Sequence, residues 1–131
     1  ETLVLMFQKE VADRIISKYN TSNYGRLSVI SNWKLNIKKI IDVSPNSFKP
    51  KPKIESSVLL FTPKKEYPNL NSSKSLEKVT RIFFNQRRKK IKKSFDQLFK
   101  DSNFIAKKLG IDLNLRPQNL NFNDYFKIAK N

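Results

Sequence analysis

Six cations within seven positions give this chain its clearest chemical potential. From Arg87 to Lys93 the residues run Arg-Arg-Lys-Lys-Ile-Lys-Lys, and only Ile91 is uncharged. Like charges held that close repel one another, and a polyanion relieves the repulsion. Phosphate diesters are the natural partner, with release of condensed counterions as the driving term. The candidate phosphate-binding residues are therefore Arg87, Arg88, Lys89, Lys90, Lys92 and Lys93. A solvated helix in a lysine-rich proteome fits the same residues, because basic runs also recur where no nucleic acid binds.

A second candidate is Phe48, at the mouth of the connector Ser-Pro-Asn-Ser-Phe-Lys-Pro-Lys-Pro-Lys-Ile over residues 44–54. Pro50 and Pro52 each bias the residue before them toward extended geometry, so the connector is stiff and non-helical. An aromatic ring among cations can stack on a base, the common way to hold single-stranded nucleic acid. It can equally be a loop anchor packed on the core.

Composition bounds the rest. The 131 residues suffice for one respectable core with a small satellite. A formal charge of +16 and a pI of about 10.2 suit a nucleic-acid binder. Lysines number 21 against 6 arginines, a bias that an AT-rich genome imposes by itself, so the adjacent Arg87 and Arg88 carry more weight than any single lysine. With no Cys and no His, disulfides, thiolate chemistry, Cys/His zinc sites and histidine acid–base catalysis are excluded. Gly25 and Gly110 are the only glycines, too few for a glycine-rich phosphate loop. No apolar run reaches the length of a membrane span and no secretory signal is present. The expectation is a cytoplasmic monomer with no metal and no membrane partner.

The elements that must position these residues follow from periodicity. Residues 2–7, Thr-Leu-Val-Leu-Met-Phe, lack alternation and read as a strand buried on both faces, which implies earlier chain to cover it. Val11, Ala12, Ile15 and Ile16 stripe a short helix, with Glu10 four residues before Arg14. Leu27, Ile30 and Trp33 mark a second helix. Period-two alternation from Leu35 to Val43 slips at Lys38-Lys39 as at a bulge, and Ser57 to Phe61 forms a further strand. Residues 66–74 read as a linker. The remainder is helical: residues 75–85, capped by Ser73 or Ser75 with Leu76, Val79, Ile82 and Phe83 inward; then a basic helix; then residues 103–109 closed by Gly110; then a last helix capped by Asn121 or Asn123. In the basic helix, Phe84, Ile91, Phe95, Leu98 and Phe99 share one buried face.

Four ordered stretches resemble one family, the ribosomal RNA adenine dimethyltransferases of the KsgA type. They are Met6-Phe-Gln-Lys-Glu-Val-Ala-Asp-Arg14, Tyr24-Gly-Arg-Leu-Ser-Val29, Phe48-Lys-Pro-Lys-Pro-Lys-Ile-Glu-Ser-Ser-Val58 and Phe84-Asn-Gln-Arg-Arg-Lys-Lys90. Leu115-Arg-Pro-Gln-Asn-Leu120 and Asp124-Tyr-Phe126 resemble its last helix, so the likeness spans the whole chain. The resemblance implies an α/β fold followed by an all-α one. Residues 1–65 would close a Rossmann-like catalytic domain, 66–74 would link, and 75–131 would be a helical domain docking small-subunit rRNA or a pre-ribosomal particle.

The same resemblance implies S-adenosylmethionine as methyl donor and N6 of two adjacent adenosines as acceptor. It places Phe48 against the flipped target adenine and Arg87, Arg88 and Lys89 against rRNA, with Pro50 and Pro52 supporting the pocket loop. The family's glycine-rich cofactor turn, its ribose-binding acid and its Asn-Leu-Pro-Tyr tetrad do not occur in this sequence. Adenine N6 is a poor nucleophile and needs oriented acceptors, so this chain alone is expected to bind no cofactor and methylate nothing. A non-catalytic RNA-binding module aiding ribosome assembly is the main alternative, and a DNA-binding helical domain that reuses the family's helices is a third.

Overall fold

A computed structural model describes residues 1–47 and 54–131. The connector residues Phe48, Pro50 and Pro52 lie outside the described residues. Three strands, β1 (Leu3–Gln8), β2 (Leu35–Val43) and β3 (Ser56–Pro63), form a sheet of order β1-β3-β2. The central strand β3 is antiparallel to both neighbours, so β1 and β2 run parallel to each other. Between them the chain crosses over through α1 (Lys9–Ile16) and α2 (Arg26–Ser31).

Alternation in β3 buries Ser57, Leu59 and Phe61 on the face that α1 covers with Ala12 and Ile15. The phase slip predicted near Lys38-Lys39 is present as a register shift between Lys39 and Ile41. The first strand is not buried on both faces: Leu3, Val4, Leu5 and Met6 are all exposed. β1 is an edge of this sheet, and the face carrying Val4, Met6 and Ile41 has no covering layer among the described residues. In α2 the inward residues are Val29 and, beyond its ends, Tyr24 and Trp33; Leu27, expected inward, faces solvent. Six residues make less than two turns, and Tyr24 rather than Leu27 fixes which side faces the core.

Four helices complete the chain: α3 (Ser73–Phe84), α4 (Lys92–Leu98), α5 (Ser102–Leu109) and α6 (Phe122–Lys130). Ser72, one residue before the expected caps, has extended backbone and accepts from the Lys74 N–H at 3.1 Å, starting α3. Asp101 caps α5 through the Phe104 N–H, and Gly110 closes it at φ 71°, the left-handed geometry that favours glycine. Asn121 and Asp124 form a reciprocal capping box for α6. The larger core joins Leu76, Val79, Phe83, Phe95 and Tyr125 from these helices with Tyr24, Val29 and Trp33 from the α2 region. Residues preceding α3 also pack: Leu70 is buried, and Trp33 Nε1 donates to the Pro68 carbonyl at 2.7 Å.

The basic stretch is not one helix. α3 stops at Phe84, residues 85–91 turn, and α4 begins only at Lys92. In a continuous helix Arg88 and Lys92, and likewise Lys89 and Lys93, would stand one turn apart and repel. The Ile91 N–H, which a helix would aim at the Arg87 carbonyl, instead donates to Leu115 O at 2.8 Å. The apolar half of the expectation survives the break: Ile91 and Phe95 are fully buried, and Phe84, Leu98 and Phe99 pack on the same core.

Asp42 bridges the bulged pair, accepting from Ser57 Oγ at 2.6 Å and lying 3.1 Å from Lys39 Nζ. The Ser57 hydrogen bond and then the Lys39 contact hold its carboxyl below the ordinary carboxylate range. Its contribution to stability is present above the ordinary aspartate pKa and is lost as pH falls through the lowered folded value. Ser57→Ala should move the Asp42 titration midpoint, followed by NMR, back up toward the ordinary value. A midpoint unchanged in that variant would remove the hydrogen bond as the cause.

Candidate nucleic-acid interface

The cations of residues 87–90 stand on a tight turn. Asn85 N–H returns to Arg81 O and Gln86 N–H to Phe83 O, both at 3.2 Å, and Lys89 N–H bonds Gln86 O at 3.0 Å. Buried Phe83 and Ile91 flank the turn and fix both of its ends to the core. The basic side chains therefore stand on backbone that is anchored at each side.

Within this group the structure separates two kinds of residue. Arg87 is half-buried, and its guanidinium donates to Tyr24 O at 2.5 Å and Ser22 O at 3.1 Å. It also lies 5.5 Å from the Phe84 ring centroid, within cation–π range. Arg88, Lys89 and Lys93 are exposed, and among the described residues none has a carboxylate within ion-pair distance. Lys90 Nζ reaches Asn114 Oδ1 at 3.5 Å, and Lys92 Nζ lies 3.4 Å from Asp96 Oδ1. Asp96 is itself held below the ordinary carboxylate range, first by the Ser102 hydroxyl and then by Lys92. A groove of ≈ 510 Å³ runs over the turn, lined by Phe84, Asn85, Gln86, Arg87, Arg88 and Lys89.

Arg87 also borders a second cleft of ≈ 430 Å³, shared with Arg14 and Arg26. Sequence reasoning read Arg14 only as the helix partner of Glu10, and that pair is present at 2.8 Å. It assigned Arg26 nothing. Both arginines lie inside the stretches that carry the family resemblance, but their convergence on Arg87 spans more than sixty residues of sequence and is invisible to local spacing. A third cavity, of ≈ 420 Å³, is lined by Gln8, Lys9, Glu10, Asp13 and Asn23 with Ile54 and Glu55, where the chain leaves the connector.

Burial raises the Tyr24 phenol above its ordinary pKa, with the Asp124 charge adding to it, and burial likewise raises Tyr125. Among the described residues no three His, Cys, Asp or Glu side chains gather to hold a metal ion, and no helix is long and apolar enough to cross a membrane. What the arrangement can do is grip a polyanion.

Sheet, crossover helices and helical end together form the C-terminal portion of a Rossmann-like methyltransferase fold, α/β followed by all-α. A dimethyladenosine transferase from Plasmodium falciparum superposes with a TM-score of 0.79 at 25% identity, covering 98% of this chain and 55% of that one. The 23S rRNA methyltransferase ErmE shares the fold at a TM-score of 0.66 and 18% identity, over 99% of this chain and 54% of its own. Residues 1–131 match the family described as ribosomal RNA adenine dimethylase, and the chain belongs to that family. It is 64% identical over 130 residues to the ribosomal RNA small subunit methyltransferase A of Pelagibacter ubique, covering 99% of this chain and 50% of the relative. The protein of the same name from Lactobacillus helveticus is 38% identical over 133 residues, covering 99% and 45%. The chain thus spans about half the length of the curated relatives it matches.

Two carbonyls depend on Arg87, so its removal should be felt in stability. Arg87→Gln should cost about 1–3 kcal/mol in a urea unfolding experiment, the usual penalty for stranding such acceptors. Arg88→Gln and Lys89→Gln should stay within about 0.5 kcal/mol of the parent. Equal losses at Arg87 and Arg88 would contradict the division of labour described above.

Proposed function

We propose that this chain is the C-terminal portion of an S-adenosylmethionine-dependent small-subunit rRNA adenine-N6,N6-dimethyltransferase. Its contribution is rRNA docking and part of the target-adenine pocket. The observation that carries this reading is the anchored basic turn and the first turn of α4, with Arg88, Lys89 and Lys93 exposed and without carboxylate partners among the described residues, in a chain of this family. Arg87, Lys90 and Lys92 complete the cationic face, Arg87 doing so from a fixed position. Phosphate contacts of this kind set register and orientation on the RNA and leave base selection to the pocket.

The cofactor supplies an electrophilic methyl group when bound to the complete enzyme. This chain's residues do not fit it. Gly25 has extended backbone at φ −169°, and a Cβ there would lie 3.4 Å from Arg87 Nη1. Gly110 closes α5. Neither forms a phosphate- or ribose-cradling turn, and no Asn-Leu-Pro-Tyr tetrad occurs in the sequence. The chain alone is accordingly inactive in this reading, and the rest of the protein orients the adenine amine. As the family resemblance implies, Phe48, with Pro50 and Pro52 in its motif, stacks on the extruded base and offsets part of the cost of flipping it.

Salt tests the docking half. For the complete enzyme on unmethylated small-subunit particles, the logarithm of affinity should fall with the logarithm of salt by roughly 0.7–0.9 per phosphate contacted. Replacing Arg88, Lys89 and Lys93 together by Gln should flatten that slope. A slope indifferent to the triple change would place the RNA elsewhere.

Phe48 tests the pocket half. Phe48→Ala in the complete enzyme should slow single-turnover methylation by roughly 1–3 kcal/mol in activation free energy, the worth of one base–aromatic stack. Phe48→Tyr and Phe48→Trp should restore most of the rate, and particle affinity should barely change. A loop anchor would behave differently: melting temperature would drop and activity would fall only with the folded fraction.

A further inference from the structure

We propose that the cleft walled by Arg14, Arg26 and Arg87 is a phosphodiester-binding site. In it the RNA backbone, having crossed the basic turn, is gripped once more before reaching the base pocket. Three of the chain's six arginines line this one cleft, although arginine is outnumbered more than threefold by lysine overall. Arginine's planar fork of donors matches phosphate oxygens bidentately, whereas lysine offers a point charge.

The frame that presents the three arginines is fixed by hydrogen bonds. Fully buried Ser28 donates from Oγ to the Arg14 carbonyl at 2.5 Å and accepts from the Gly25 N–H at 3.1 Å. Arg87 binds Tyr24 O and Ser22 O, tying the basic turn to the same loop. The backbones of α1, the α2 entrance and the basic turn are thus locked together, and a ligand need only order the side-chain tips. Arg26 is exposed, and among the described residues no carboxylate lies within ion-pair distance of it. Glu10 offsets Arg14 alone. Cationic groups left without anions in a shared concavity are stabilised when an anion enters.

Continuity gives the site its direction. The groove over the turn and the arginine cleft meet at Arg87, and the cleft meets the Gln8–Asp13 cavity at Asn23. Among the described residues that last cavity is richer in carboxylates: Glu10, Asp13 and Glu55 line it with Lys9, Glu10 pairing with Arg14 and Asp13 with Lys9. Carboxylates there can accept from exocyclic base amines, which phosphates cannot offer. In this proposal the backbone track ends at the arginine cleft, and a base passes Asn23 into the carboxylate-lined cavity.

This inference rests on the docking reading above, and the test separates the two. Complete enzymes carrying Arg26→Gln, Arg14→Gln/Arg26→Gln and Arg88→Gln/Lys89→Gln would be titrated against unmethylated small-subunit particles across a salt series, with melting temperatures recorded alongside. The arginine-cleft double variant should lose about 0.7 from the log–log salt slope, one phosphate on a single strand. Arg26→Gln should show a partial loss and Arg26→Lys should restore the slope, a rescue that a packing role would not give. If Arg88→Gln/Lys89→Gln lowers the slope and the cleft variants do not, the cleft site is wrong and docking stands. If neither changes it, both fall.

Discussion

The structure depends on how the loop at residues 20–25 is clamped against the helices that follow it. The Tyr24 ring sits fully buried among Phe84, Phe122 and Tyr125, with centroids 5.9, 5.7 and 6.5 Å away. Such tilted aromatic contacts add to area burial and fix orientation as well as distance. Directly above, Arg87 binds the carbonyl of the same Tyr24. Asn20 completes the clamp: its N–H donates to Gln118 O at 2.7 Å and its side-chain carbonyl accepts from Asn119 Nδ2 at 2.9 Å. Asn20 does this at φ 67°, a left-handed geometry that asparagine tolerates better than most residues.

One consequence is that the cationic face and the sheet are mechanically coupled. α1 packs on β3, Ser28 joins α1 to the α2 entrance, and Arg87 joins that entrance to the basic turn. The basic turn is therefore held at a defined offset from the end of β2 that leads into the connector. The short bonded path from Arg87 to Ser28 to Arg14 fixes that offset without a large interface.

A second consequence concerns which charges are spent inside the protein. Arg87 shares with Arg88 the strongest sequence signal for phosphate, yet two of its donors satisfy backbone carbonyls. Lys92 is half-neutralised by Asp96, and Lys90 leans on Asn114. A run of six cations is thus graded into a positioning arginine, two tethered lysines and three residues open to a ligand. Counting charges in the sequence overstates how many act on an outside partner.

Sequence alone determined much of the local chemistry of this protein: the Gly110 cap, an asparagine cap for α6 narrowed to Asn121 or Asn123, the bulge in β2, the α1 stripe and the basic run itself. Each depends on residues within a few positions of one another, where backbone propensity and periodicity speak directly. Motif order also makes the family legible in the sequence. Tertiary structure decided what local pattern could not. The basic helix was broken because the Ile91 N–H finds Leu115 rather than Arg87, a partner two dozen residues away. Leu27 was turned outward because Tyr24 took its place in the core. Arg14 and Arg26 met Arg87 only because Ser28 and the Tyr24 carbonyl lie where the fold brings three distant segments together. Those contacts are non-local, and no spacing within a single segment encodes them.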